Sequence, residues 1–530
     1  MLYSLLILSG LFLLAGIVMR AGSGSIWDDS YFFSRYADHW LGTGDVSWNV
    51  GEAPVYGTTS VMYLVYMAGL RWLMDGEPAL TLWVGSVLTG LLALGVLGWM
   101  VRKYTDAFGK YSLYALGIGL ATVACNIPQL VVHFSSGMDT MAAVAYLGVY
   151  LSLVKHFEAK LSPGKALVIG VVGGMAWFVR PDLLLFTIGI PVALAVFGKR
   201  RITRLQGAYT LIFTAFVMLT QALIAAQSFE MFLPLSFYVK SMNPYGPELA
   251  AAYQWEGLAN TGIFLAANIL PLLLIGVAMF RNFKHWNKAT SVTDKAMLLC
   301  LLGFVAYHTV FVTPIMGYGQ RFLYPAWPAL LLLGVRSGVY LLYEQPHAAP
   351  AWFGLQSSRR ALMPVLALGA YLLVTTFLFR PANLSKSLGD FSIRTHYELQ
   401  GRHNWPFLER FSILPDDLDI ASTELGILSA MNPRKKIVDM TGLHDPIYAK
   451  SGFDPVRFAT VQQPDLVYLP HPDYVQMHTQ LLQSEAFTKA YAIYPSVSLQ
   501  SWQGIALRKD SPYFQQMKYI VDDEIARLPD

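Results

Sequence analysis

Charged residues are scarce in this sequence: Asp, Glu, Lys and Arg make up 14% of its 530 residues, against about 25% in an ordinary soluble domain. With 55% hydrophobic residues and a mean hydropathy of +0.43, a soluble globular enzyme is excluded. Cysteine is scarcer still. Cys125 and Cys300 both stand inside apolar runs with no motif spacing, so a disulfide scaffold and a cysteine-built zinc site are set aside and both are read as small core hydrophobes. There is no P-loop, no dinucleotide fingerprint and no nucleophile elbow, which argues against a nucleotide-driven pump. His133, His308, His396 and His403 lack metal-ligand spacing and read as structural. No internal repeat and no long low-complexity stretch is visible, and no nucleic-acid partner is expected.

What is abundant is apolar sequence in long runs. Residues 2–19, 80–101, 112–131, 138–154, 166–179, 183–197, 205–226, 263–280, 297–313, 322–342 and 362–379 are candidate crossings of a hydrocarbon core about 30 Å thick. In lipid, backbone groups must be satisfied internally, so these runs are expected to be helices. The first is read as a retained span, because no Lys or Arg precedes its apolar stretch. Residues 57–74 are apolar but interrupted by Thr58, Thr59 and Ser60 and carry Arg71. If that segment does not cross, sixteen Lys and Arg in five loops, from Arg102 to Arg360, fall on one side; if it does cross, they face outward, against the positive-inside rule. Residues 57–74 are therefore placed as a re-entrant or interfacial helix within a first outer loop of residues 20–78. The N-terminus then lies inside, and eleven crossings put residues 380–530 on the outer side.

That tail is polar. Its runs LDIAS, KKIVDM, DLVYL, AYAIYP and GIAL read as strands alternating with helix-like stretches, a small α/β domain following a membrane domain of residues 1–379. The opposite loops are poorer in Lys and Arg, and function is sought there.

The strongest constellation is Trp27-Asp28-Asp29-Ser30-Tyr31-Phe32-Phe33-Ser34-Arg35-Tyr36, directly after the first span. Adjacent carboxylates on a helix cannot point the same way, so one faces a cavity or both act locally, as a helix cap or an ion ligand. A carboxylate at the edge of low-dielectric surroundings is suited to take a proton from a hydroxyl. Arg35, Arg180, Lys240 and Arg321 form a cationic complement on the same face, able to hold a phosphate or to snorkel to the interface. Tyr238, Tyr245, Trp255 and Tyr318 either line a sugar or polyprenyl groove or belong to the aromatic belt.

Taken together, these outer motifs resemble the GT-C superfamily of membrane glycosyltransferases, which use polyprenyl-phosphate-linked sugars. The stretch DDSYFFSRYADHWLGTGDVSWNVGEAPVYGTTS is similar to that group's first extracytoplasmic loop. Ser136-Gly137-Met138-Asp139-Thr140, Arg180-Pro181-Asp182, Ser236-Phe237-Tyr238-Val239-Lys240 and Arg321-Phe322-Leu323-Tyr324-Pro325 follow in the group's order and on its side of the bilayer. Within GT-C the chain most resembles arabinofuranosyltransferases of the mycobacterial terminal and pilin-modifying types. Thr423-Glu424-Leu425-Gly426 and Val438-Asp439-Met440-Thr441-Gly442-Leu443-His444-Asp445 carry that likeness into the tail. The family often has Glu at the places of Asp139 and Asp182, and an acidic residue where Gly317-Tyr318-Gly319-Gln320 stands here, which bears on the identity of the sugar.

The resemblance implies a polytopic α-helical membrane protein with a C-terminal extracytoplasmic α/β domain. It implies an inverting transfer, most readily of D-arabinofuranose, from a polyprenyl-phosphate donor to a cell-envelope glycan or a pilin-type protein. Asp29 or Asp28 would be the general base, and Lys240, Arg321 and Arg180 would hold the phosphate. Tyr31, Arg35, Tyr238 and Asp139 would line the substrate site. No cofactor is implied, and a divalent cation at Asp28 is left open. The rivals are a GT-C transferase for lipid-linked mannose, glucose or aminoarabinose, and a transporter of lipid-linked sugars.

Overall fold

The computed structural model describes residues 25–106, 112–157, 162–241, 247–281, 290–312, 317–343, 390–399, 405–495 and 502–527, with isolated positions before them. The apolar runs within this range are helices, as a lipid environment demands. In chain order they are α1 (Tyr31–Thr43), α2 (Val61–Leu73), α3 (Pro78–Asp106), α4 (Ser112–Cys125), α5 (Ile127–Ser135), α6 (Thr140–Phe157) and α7 (Pro163–Gly174). There follow α8 (Leu184–Phe197), α9 (Arg201–Phe229), α10 (Leu235–Ser241), α11 (Pro247–Ala267), α12 (Ile269–Arg281), α13 (Val292–Val310) and α14 (Trp327–Tyr343). Among the described residues, Pro78–Lys103, Thr140–Phe157 and Arg201–Phe229 are each long and apolar enough to cross a membrane alone. Nearly all of the first expected span, 2–19, and the whole of the last, 362–379, lie outside the described residues, as does the boundary at 379. Helix α2 has 13 residues, about 20 Å at 1.5 Å per residue and short of the roughly 30 Å of a span.

Two expected spans are not straight. Residues 112–131 are divided between α4 and α5 with a bend of 62°, and the run at 263–280 is cut between α11 and α12 by a bend of 77°. Each break falls at a buried asparagine, Asn126 or Asn268, followed within three residues by Pro128 or Pro271. Proline cannot donate to the helical ladder, so the turn before it needs other partners. The two asparagines supply them. Asn126 Nδ2 donates to the Thr122 carbonyl (2.9 Å) and to Asn268 Oδ1 (3.0 Å). Asn268 Oδ1 also accepts from Trp327 Nε1 (2.9 Å), and Asn126 Oδ1 accepts from Tyr324 Oη (2.6 Å). This polar knot ties both breaks to the turn that precedes α14.

All five β-like runs of the tail are strands: β1 (Ile420–Ser422), β2 (Ile437–Asp439), β3 (Leu466–Tyr468), β4 (Tyr491–Tyr494) and β5 (Ile505–Arg508). They form one sheet in the order β2-β1-β3-β5-β4, parallel across β2, β1 and β3 and antiparallel across β3, β5 and β4. The sheet does not keep a core to itself. Leu466 and Ile505 share one buried cluster with Tyr31, Tyr36 and Trp48 from residues 20–78, so the tail is packed onto α1.

Candidate active site

The acidic pair is held at the end of the bundle by backbone bonds. The Trp27 amide donates to the Ser136 carbonyl (3.0 Å), and Ser25 Oγ donates to the Ser135 carbonyl (3.2 Å). The turn they meet depends on Gly137, whose φ of +76° and whose closeness to Ser30 Oγ, 2.8 Å from where a Cβ would stand, exclude a side chain. Tyr63 Oη donates to the Gly137 carbonyl from α2 (2.9 Å). The two carboxylates then diverge, as adjacent residues on a helical turn must. Asp28 accepts from the amides of Gly426 (2.9 Å) and Ile427 (2.8 Å), at the start of helix α15 (Gly426–Met431). Asp29 accepts from Arg321 Nη2 (2.6 Å).

Asp29, Asp139, Arg180, Lys240 and Arg321 open onto one cavity of about 150 Å³. They come from five separate segments of the chain, Lys240 from helix α10. Arg321 is aimed by two consecutive left-handed residues, Gly319 (φ 63°) and Gln320 (φ 58°), an uncommon backbone state for glutamine. Three cations gather round the Phe322 ring: Lys240 Nζ lies 4.6 Å from its centroid, and the guanidinium carbons of Arg321 and Arg180 lie 5.0 and 6.0 Å away. A phenyl face favours cations, and it lets three of them converge without a carboxylate between each pair. Arg180 Nη2 donates to Asp182 Oδ2 (2.8 Å), which also meets His308 Nε2 (3.0 Å).

Several polar groups at this site are under-used. Arg321 Nε and Nη1 and Ser236 Oγ are buried without a hydrogen-bond partner among the described residues, a state that normally costs about 1–3 kcal/mol per group. Burial and the neighbouring Arg321 lower the Lys240 ammonium to about 7, against the upward pull of Asp29. A cavity with convergent cations, orphaned donors and a depressed lysine is short of an anion.

Three residues expected to line the substrate site do not reach the cavity. Tyr31 is fully buried and hydrogen-bonded to His396 Nδ1 (3.0 Å). Arg35 donates to the carbonyls of Trp48 (2.7 Å), Asn432 (3.1 Å) and Lys435 (2.9 Å) and to Asn49 Oδ1 (3.0 Å), closing the C-terminal end of α15. Burial takes its guanidinium down to about 9. Tyr238 packs against the cluster of Leu235, Val239 and Ala449 at the contact between α10 and helix α16 (Pro446–Ser451). Both oxygens of Asp28, where a cation was considered, accept backbone amides, and among the described residues no group of three or more His, Cys, Asp or Glu could hold a metal ion. Conversely, sequence reasoning passed over His308 and Phe322 as site residues. The available signal for His308 was its place at the outer end of a span.

No family model matches the chain, and no curated sequence is similar to it. Solved structures do match in fold. ArnT from Cupriavidus metallidurans in the apo state superposes with a TM-score of 0.57 at 12% identity, over 95% of this chain and 97% of that one. ArnT bound to undecaprenyl phosphate gives 0.55 at 12% identity, over 96% and 98%. The likeness shows the fold, over essentially the full length of both chains.

Proposed function

We propose that this protein is an inverting glycosyltransferase, moving D-arabinofuranose from a polyprenyl-phosphate donor to a cell-envelope glycan or protein on the extracytoplasmic face. The observation that carries this reading is the cavity itself, where the Arg321 guanidinium donates to Asp29 through Nη2 while its Nε and Nη1 have no hydrogen-bond partner among the described residues. Undecaprenyl phosphate bound to a structure of this fold supports a lipid phosphate as the missing anion.

In the proposed reaction the acceptor hydroxyl gives its proton to Asp29 and its oxygen attacks the anomeric carbon. The bond from that carbon to the phosphate oxygen breaks, and the phosphodiester, with one negative charge, departs as a phosphomonoester with a second. Lys240, Arg321 and Arg180 face this developing charge, and preorganised donors of that kind contribute about 3–4 kcal/mol each in favourable cases. The Asp29–Arg321 pair keeps the base one guanidinium away from the leaving group. General-base removal typically costs about 10²–10⁴ in rate. Asp29→Asn is therefore expected to lower transfer by at least about a hundredfold while undecaprenyl phosphate still binds and the Tm stays near wild type. An active variant sinks the assignment.

Among donor rivals, an amino sugar has one specific observation behind it. Asp139 is 5% exposed, lines the cavity and forms no ion pair among the described residues, so it could meet a cationic sugar. Mass spectrometry of products from arabinofuranosyl and aminoarabinosyl polyprenyl phosphates decides between the two. Lipid movement across liposomes without any glycoside formed would instead favour a transporter.

A further inference from the structure

His308 has a fixed orientation that the proposed chemistry does not yet use. It stands near the end of α13, 7% exposed and in the cavity wall. Its ring lies between Phe304, at 4.5 Å, and Phe322, which runs parallel to it at 6.0 Å and 3°. Nε2 meets Asp182 Oδ2 at 3.0 Å. That carboxylate is itself gripped twice by Arg180, through Nη2 at 2.8 Å and Nε at 3.3 Å. An ionised carboxylate only accepts, so Nε2 carries the hydrogen, and in the neutral ring Nδ1 is left with a lone pair. Arg180, Lys240 and Arg321 line the same cavity. Nδ1 is buried and has no hydrogen-bond partner among the described residues.

A lone-pair acceptor cannot hold a phosphate oxygen; it needs an O–H or N–H. The acceptor hydroxyl is already assigned to Asp29, which leaves the hydroxyls of the transferred sugar. We propose that His308 reads that sugar, its Nδ1 accepting a hydrogen bond from one donor-sugar hydroxyl while Asp182 and Arg180 lock the tautomer. This rests on the transferase reading above and adds a residue that discriminates sugar from phosphate. Losing an acceptor of this kind costs about tenfold in affinity.

The test uses the full chain purified in detergent and two lipids, undecaprenyl-phosphoryl arabinofuranose and undecaprenyl phosphate. Glutamine places its amide near Nε2 and keeps the contact to Asp182 without a group at Nδ1; asparagine does the reverse. His308→Gln is expected to weaken the sugar lipid about tenfold and to leave undecaprenyl phosphate within about twofold. His308→Asn is expected to lose less for the sugar lipid. In a set of mono-deoxy donors, one donor should bind wild type about tenfold more weakly than the parent and be indifferent to His308→Gln. Equal weakening of both lipids, or of neither, overturns the proposal. If wild type binds neither lipid, the transferase reading fails first and this inference falls with it.

Discussion

Lys240 is the residue whose chemistry is most exposed to test. Burial and the neighbouring Arg321 bring its ammonium down to about 7, so at pH 8 about nine-tenths of the molecules carry it neutral. The groups facing it are Arg321, Asp29, Arg180 and Asp139. A phosphodiester arriving among them favours the charged form and lifts the pKa, so binding at pH 8 takes up close to one proton, whereas at pH 6 the lysine is already charged and uptake falls to about a tenth. The lipid-phosphoryl sugar does not itself titrate in this range. Calorimetry in two buffers of different ionisation enthalpy measures the uptake directly, and Lys240→Arg should abolish it; uptake that is equal at both pH values, or unchanged in the variant, removes Lys240 from the phosphate site. Lys240, Asp29, Arg180 and Arg321 were legible in the sequence because each stands in a short motif on a face otherwise poor in cations. Arg35 and Tyr31 stand on that face too, and nothing local separates them. Their partners, the carbonyls of Asn432 and Lys435 and the His396 ring, lie hundreds of residues downstream. His308 was passed over for a related reason: a lone histidine in an apolar run acquires meaning only when Asp182, from another loop, comes within 3.0 Å.

At the scale of elements, hydrophobic runs predict helices but not where they break. The Asn126–Asn268 knot joins the broken pairs α4/α5 and α11/α12 to Tyr324 and Trp327, three and six residues beyond Arg321. Neither asparagine lines the cavity, yet together they hold the turn that presents the Arg321 guanidinium to it. Asn268→Ala leaves Trp327 Nε1 and Asn126 Nδ2 each short of an acceptor in a dry interior, which should cost about 2–3 kcal/mol. The expected outcome is a lower Tm in detergent together with weaker binding of undecaprenyl phosphate. Asn126→Ala should act through the same network, so the double variant should lose less than the two single losses combined. Additive losses with unchanged lipid affinity would reduce the knot to a packing feature. The strands, by contrast, were readable directly, because their short apolar runs are bounded by polar turns and, in all but β4, buried on both faces.

For the whole molecule the decisive property is polarity from one end to the other. Helix α6 begins beside Asp139 at the cavity and reaches Lys155 about 24 Å away at 1.5 Å per residue; α13 runs from Asp294 to His308 over about 21 Å. At the far end Lys155 Nζ meets Asp294 Oδ1 (2.9 Å) and Arg336 Nε meets Asp294 Oδ2 (3.0 Å), with the carboxylate fully buried. The same two helices thus carry site groups at one end and a charge cluster at the other. Lys199, Arg200, Arg201 and Arg204, at the join of α8 and α9, belong to that far end. By the positive-inside rule that end is expected in the cytoplasm and the cavity on the outer side, as the proposed function requires. Val50 and Ile202 are 54% and 63% exposed, one in the segment that carries Asp29 and one beside the arginines. With Cys125 and Cys300 replaced by alanine, an impermeant maleimide applied to spheroplasts should label Val50→Cys at once and Ile202→Cys only after permeabilisation. The opposite pattern would put Asp29 and its cations in the cytoplasm, and labelling of both in sealed spheroplasts would mean that the two ends do not lie on opposite sides at all.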